Sequence, residues 1–199
     1  MTFYSDAQPL PQDLRTPTFV LKPLTPEYAL LDYEAYISSS EVIRVHSGGR
    51  WPIADFTLND ECEQLAQHTQ RHQARQDFAF IILERTEQRS LGCVYVLPLR
   101  PFLQRVNAPA ELVKRVGDDA AMITFWVRQS AQDTALPEDL VQATWRWFSS
   151  EWSFSQCFFR VSQAEARSRQ ALESSGLSEQ FAICPAGWLF GYLFYGNQP

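Results

Sequence analysis

The chain has 199 residues, 45% hydrophobic and 20% charged, which suits one globular domain with a substantial core. Its net charge of −6 excludes nucleic acid as the default partner, because phosphate binding needs a basic face. There is no apolar stretch of transmembrane length, no basic-then-apolar leader and no CxxC pair among the four cysteines, so a cytoplasmic, reducing setting without membrane association is expected.

Residues 1–17 carry Pro9, Pro11 and Pro17 and read as an extended N-terminal arm. Residues 18–24 alternate as a strand, and Thr25, Pro26 and Glu27 then supply a cap, a first-position proline and a first-turn acid for a helix. Residues 46–52, HSGGRWP, form a loop. Thr57 with Asp60 opens a second helix whose inner stripe is Leu58, Cys62, Leu65, Thr69 and His72. Strands follow at 77–84 and 90–99, joined by the short turn RTEQR. Residues 100–119 read as a long connection with a short helix around 111–115, and 120–128 as the most buried strand. An aromatic helix at 138–152 has Trp145 and Trp147 on nearly opposite sides, so it must be covered on more than one face. Residues 157–162 form a strand. Ser162 and Glu165 make a capping box for a helix ending at Gly176, and two aromatic segments close the chain as a hairpin. The order β-α-α-β-β-β-α-β-α-β-β predicts an α/β (α+β) fold with about seven strands and four main helices, in one domain over 1–199.

Three stretches carry a resemblance over residues 18–195. They are the hairpin FAFIILERTEQRSLGCVYVLPL, the segment FWVRQSAQDTALPEDLVQATWRWF, and FRVSQAEARSRQALESSGLSE. In this order and spacing they resemble the GNAT superfamily of acyl-CoA N-acyltransferases. The resemblance implies a mixed, mostly antiparallel sheet whose fourth and fifth strands splay apart. It implies acetyl-CoA as co-substrate, with pantetheine pairing to the backbone of Phe125, Trp126 and Val127. Pyrophosphate would rest on the following loop, at a helix N-terminus. The family pattern Q/R-x-x-G-x-G/A aligns with Gln132, Asp133, Thr134, Ala135, Leu136 and Pro137. Ala135 replaces a glycine and is tolerable where its φ is negative, while Pro137 removes a donor. Asp133, Glu138 and Asp139 add negative charge, against which Arg128 is a candidate compensation.

The family's Asn and Tyr align with Ser162 and Leu172, and leucine has no proton to give to a leaving thiolate. No glutamate occupies the fourth strand as a general base. His72 is a candidate base and Tyr95 a candidate acid, each also explicable as an ordinary helix or sheet residue. Arg50 and Trp51 are candidate substrate contacts in the acceptor loop. His68 and His72 lie four apart without a third ligand at suggestive spacing, so no metal is expected. The primary reading is transfer of an acetyl group from acetyl-CoA to an amine of a small molecule or peptide. The alternative is a non-catalytic GNAT-fold module with a degenerate groove. A third reading, an unrelated mixed-sheet protein, makes the aromatic hairpin at 188–195 a ligand or dimer surface, and a homodimer stays open.

Overall fold

The computed structural model describes residues 3–197. Eight strands form one open sheet in the order β1-β2-β3-β4-β5-β6-β8-β7. They are β1 (Leu14–Arg15), β2 (Phe19–Pro23), β3 (Phe78–Glu84), β4 (Ser90–Pro98), β5 (Ala121–Val127), β6 (Cys157–Ser162), β7 (Ser178–Ile183) and β8 (Tyr192–Gly196). The helices are α1 (Ala29–Ile37), α2 (Ser40–His46), α3 (Leu58–Gln73), α4 (Leu99–Arg105), α5 (Ala110–Arg115), α6 (Leu136–Ser150) and α7 (Ala166–Ser174).

β3 is an uninterrupted apolar run because both its faces are covered. Phe78, Phe80 and Ile82 enter the core beneath α6 and α7, whereas Ala79, Ile81 and Leu83 enter the core beneath α1, α2 and α3. Trp147 and Phe148 of α6 fill the first core, and Trp145 reaches Phe159 at a ring separation of 6.1 Å. Both tryptophans thus pack on the same core, with Trp145 only partly buried, and α6 is covered on one face rather than on opposite faces as expected. Leu172, fully buried in the same core, keeps α7 seated and offers no hydroxyl.

The sheet is antiparallel except at its centre. β5 and β6 run parallel and pair only over Ala121↔Cys157, Met122↔Phe158 and Ile123↔Phe159. Beyond Ile123 the strands part, while β5 stays paired to β4 as far as Val127. This is the splay that the resemblance implies.

The structure departs from the sequence reading in several places. There are eight strands rather than seven, because Leu14 and Arg15 of the arm pair with β2. The arm also folds inward: Phe3 and Tyr4 are buried, with Phe3 stacked on Phe154 and Tyr4 against Trp152. Residues 1–2 lie outside the described residues. Residues 100–119 are not a long loop. The expected short helix is there as α5, and the unexpected α4 joins it in closing a third core of Leu99, Phe102, Leu103, Leu112, Val116, Met122 and Phe194. Finally, α7 begins at Ala166 rather than directly after Ser162. The Ser162 backbone N–H does donate to Glu165 Oε2 at 2.6 Å, but the second carboxylate oxygen is engaged elsewhere and Glu165 itself precedes the helix.

Candidate active site

A cavity of about 270 Å³ opens on the face of the sheet beneath α1, α2 and α3, beside the splay. Its floor follows the two-residue alternation of strands: Tyr95 and Leu97 of β4, Met122, Thr124 and Trp126 of β5, and Arg160 of β6. Its walls come from Asp32 and Tyr36 of α1, His46 of α2, Arg50 and Trp51 of the following loop, Glu61, Gln64 and His68 of α3, and Phe102 and Arg105 of α4. Glu61, Gln64 and His68 share one side of α3 because they recur at helical spacing.

Two carboxyl groups are buried at one end. Asp32 is 5% exposed and Glu61 3% exposed, and they contact each other. The Cys93 thiol donates to Asp32 Oδ1 at 3.1 Å. Burial raises the pKa of Asp32. Burial, with the neighbouring Asp32 charge, pushes Glu61 up to about 9. Two desolvated carboxyls in contact cannot both carry charge cheaply, so the pair holds a shared proton at neutral pH. Burial also raises the Cys93 thiol and the Tyr95 phenol well above their usual ranges, which keeps both protonated.

A second polar chain crosses the splay. Arg160 Nη2 donates to Thr124 Oγ1 at 3.0 Å, and Thr124 Oγ1 lies 3.3 Å from His46 Nε2. His46 Nδ1 lies 3.0 Å from Glu165 Oε1, whose partner oxygen accepts the Ser162 N–H. One proton arrangement makes all the contacts at once: Nδ1–H donates to the carboxylate, Nε2 accepts from the Thr124 hydroxyl, and Thr124 Oγ1 accepts from Arg160. Thr124 is the first β5 residue beyond the last pairing with β6, so its hydroxyl marks the mouth of the splay.

The loop after β5 is held by side chains. Gln132 Nε2 donates to the Val127 carbonyl at 2.6 Å. Arg167 of α7 donates to the carbonyls of Gln132 at 3.1 Å and Thr134 at 2.9 Å, and forks onto the Glu138 carboxylate. Among the described residues, the amides of Asp133, Ala135 and Glu138 have no acceptor. Ala135 has φ −74°, a conformation that does not call for glycine. The α6 N-terminus and three free donors therefore suit an anionic group such as pyrophosphate, while the Arg167 cation is engaged by Glu138 and the two carbonyls and holds the loop rather than a ligand. Arg128 instead donates to the Ser90 carbonyl at 3.3 Å. A smaller cavity of about 250 Å³, lined by Gln129, Gln132, Asp133, Ala166 and Arg167, opens beside this loop.

The structure distributes the sequence candidates unevenly. Tyr95, Trp126, Arg50 and Trp51 line the larger cavity. Phe125 and Val127 point into the opposite core, leaving only their backbone near the splay. Gln132, Asp133, Thr134, Ala135 and Leu136 form the loop and first turn of α6, with Leu136 buried beneath it. Ser162 ends β6 and orients Glu165. His72 is not brought to the cavity. It lies edge-on to Phe78 at 5.1 Å and Phe80 at 5.5 Å, both ring nitrogens unpartnered, and burial lowers its pKa to about 4. It is a core histidine in this fold. Sequence reasoning missed Asp32, Glu61, Thr124, Arg160 and Glu165 as site residues. Glu61 was the one with a signal: it lies beside Cys62 in the inner stripe, at helical spacing from Leu65.

The chain spans almost the full length of several solved acetyltransferases. Ribosomal-protein-S5-alanine acetyltransferase from Vibrio fischeri superimposes with a TM-score of 0.69 at 10% identity, covering 93% of this chain and 95% of that one. The Salmonella typhimurium acetyltransferase that modifies the N-terminal serine of ribosomal protein L7/L12 gives 0.68 at 11%, covering 92% and 97%. The microcin C7 self-immunity acetyltransferase, solved with acetyl-CoA and AMP, gives 0.66 at 12%, covering 90% and 92%. At these identities the likeness is one of fold. No curated protein matches the sequence at a significant level. The sequence profile of the acetyltransferase (GNAT) domain matches residues 18–178, so the chain belongs to the GNAT acetyltransferase family.

Proposed function

We propose that the protein is an acetyl-CoA-dependent N-acetyltransferase whose amine acceptor enters the cavity beneath α1, α2 and α3. The observation that carries this reading is the juxtaposition of splay and carboxyl pair. β5 loses its β6 partner after Ile123, and the cavity on that face holds Asp32 and Glu61. Acetyl-CoA bound in the splay supplies a thioester carbonyl for attack by the amine, with the thiol as leaving group.

The protein's own groups then have distinct tasks. An amine arrives mostly as ammonium, and the Asp32–Glu61 pair, carrying one charge and one proton, attracts it. The pair takes the ammonium proton and becomes neutral, which frees the amine lone pair. Raised pKa values suit this exchange, because a base whose affinity for protons approaches that of an amine transfers them with little free-energy cost. Thr124 stands at the mouth of the splay, fixed by His46 and Arg160; its proton is given to His46, so what it offers a reacting amine is its remaining lone pair as an acceptor. Glu165 holds the His46 ring in the orientation that keeps Nε2 on Thr124. Tyr95, kept protonated by burial, lines the same cavity and provides a second hydroxyl in place of the one Leu172 lacks.

Calorimetric titration with acetyl-CoA, with CoA as comparison, tests the reading first. Micromolar binding is expected, followed by acetyl transfer to a primary amine that Glu61→Gln slows strongly. Absence of binding at millimolar acetyl-CoA would remove the reading and favour a non-catalytic module on this fold.

A further inference from the structure

The cavity is bipolar. Opposite the Asp32–Glu61 end lie three guanidinium groups, Arg50, Arg105 and Arg160. Among the described residues none of the three has a carboxylate within ion-pair distance; every ion pair found involves other cations. Arg160 is the decisive one. It is 6% exposed, and its Nε is buried without a hydrogen-bond partner. One nitrogen, Nη2, is used on Thr124, and the guanidinium lies 4.4 Å from the centre of the Tyr192 ring. Arg50 stands 4.1 Å above Trp188 and Arg105 5.5 Å from Phe102, so all three cations rest on aromatic faces rather than on anions. Burial lowers the Arg160 pKa, and its two arginine neighbours lower it further. Tyr192 and Glu165 act in the other direction, but Glu165 is reached only through Thr124 and His46. A buried cation with an unmet donor, opening on a cavity, is the arrangement that an oxyanion with two adjacent oxygens would complete.

The two ends are close. Arg160 bonds Thr124, while Asp32 bonds Cys93, which pairs across the sheet with Trp126. Thr124 and Trp126 are two residues apart on one strand face, about 7 Å along the strand. A molecule with few bonds between its amine and its anion spans that distance. The cavity of about 270 Å³ lies just below the range of roughly 300–1,000 Å³ typical for drug-sized ligands, so the occupant is small. Tyr36, Trp51 and Trp126 wall the intervening space with aromatic surface.

We propose that the acceptor is a small zwitterion, a primary amine that also bears a carboxylate or a phosphate. The ammonium sits on Asp32 and Glu61, and the oxyanion on Arg160, flanked by Arg50 and Arg105. This inference rests on the N-acetyltransferase reading and narrows its substrate class to amino acids or aminoalkyl phosphates, rather than the amino terminus of a protein.

Matched pairs of acceptors test it with acetyl-CoA: L-phenylalanine against L-phenylalaninamide, and O-phosphoethanolamine against ethanolamine, with a short unblocked peptide amide alongside. The anionic member of at least one pair is expected to exceed its neutral partner by about 100-fold or more in kcat/KM, because the neutral analogue leaves a buried donor unmet. Whichever pair shows the preference identifies the carboxylate or the phosphate as the anion. Arg160→Met should collapse that ratio toward unity. Arg105→Ala, on an exposed side chain that the fold does not need, should narrow it and carries the test if the Arg160 variant fails to fold. Acetyl-CoA affinity measured on the same samples separates the two levels of inference. If acetyl-CoA does not bind, the N-acetyltransferase reading falls, and the zwitterion with it. If acetyl-CoA binds but neutral amines or the peptide serve equally well or better, the zwitterion alone is overturned.

Discussion

His46 and Glu165, 119 residues apart in sequence, meet at 3.0 Å across the mouth of the splayed strands. The contact ties the end of α2 to the residue that precedes α7, and its two side chains are about 10% and 8% exposed. It closes over Thr124 and passes its orientation to Arg160. Each contact of this chain holds only while the others are in place.

Glu165→Ala should therefore cost about 2–4 kcal/mol, since it strands a buried imidazole donor and the Ser162 amide. Chemical denaturation of Glu165→Ala, His46→Ala and the double variant checks this. A double variant markedly less destabilised than the sum is the expected outcome, because the two residues share one network. Simple additivity would show that they do not act together.

The Asp32–Glu61 pair predicts a pH dependence with a definite sign. Its folded-state pKa for Glu61, about 9, lies above the ordinary 4.5, so the native state binds more protons between those values. Stability contributed by the protonated group is fully present below about 4.5 and is lost as pH rises through about 9. Denaturation midpoints should fall across that window, and Glu61→Gln, which stays neutral, should flatten the fall and be the more stable protein at its alkaline end. Catalysis depends on the same proton. The pair with one charge and one proton is the form that holds the ammonium and takes its proton, so kcat/KM should fall as pH rises through about 9 in the native enzyme and lose this fall in Glu61→Gln.

The cradle after β5 yields a third expectation. Ala135 is exposed and its φ of −74° accepts any side chain, so Ala135→Glu should fold normally. Its carboxylate would lie beside three free amides and should weaken acetyl-CoA binding by about tenfold or more. Arg167→Ala removes the donors that hold the Gln132 and Thr134 carbonyls and should weaken binding while lowering stability by about 1–2 kcal/mol. Calorimetry and thermal melts on both variants separate the two effects.

Gly92 is the structural control. It sits in β4 next to a register shift, at φ +133°, and a Cβ there would lie 2.0 Å from the Trp126 carbonyl oxygen. Gly92→Ala must push β4 from β5 and should cost about 3 kcal/mol or more, read as a lowered denaturation midpoint. A neutral substitution would mean that the two strands are less tightly joined than described.

Much of the fold was written locally. Strands β3, β4, β5 and β6 fall within a residue of the boundaries that their apolar runs imply, and Thr57 caps α3 through a true capping box with Asp60. The order of these elements sufficed to suggest the family, because strand periodicity and helix caps depend on neighbours a few residues away. The short strand β1 and the helix α4 escaped, whereas α5 matches the short helix read around 111–115. Two residues carry too little periodicity to read, and the apolar positions of α4 acquire meaning only against Met122 and Phe194.

The site was decided elsewhere. His72 and Glu61 occupy the same inner stripe of α3, and the sequence offered His72 by its chemistry alone. Tertiary structure places His72 against Phe78 and Phe80 and Glu61 against Asp32 in the cavity. Likewise, nothing near Arg160 or Glu165 in the sequence marks either as buried. Helix caps and strand faces are settled by adjacent residues, so the sequence by itself determined the elements and their order. Desolvation is settled by what the whole sheet brings alongside, so only the fold decided which charged groups were stripped of water.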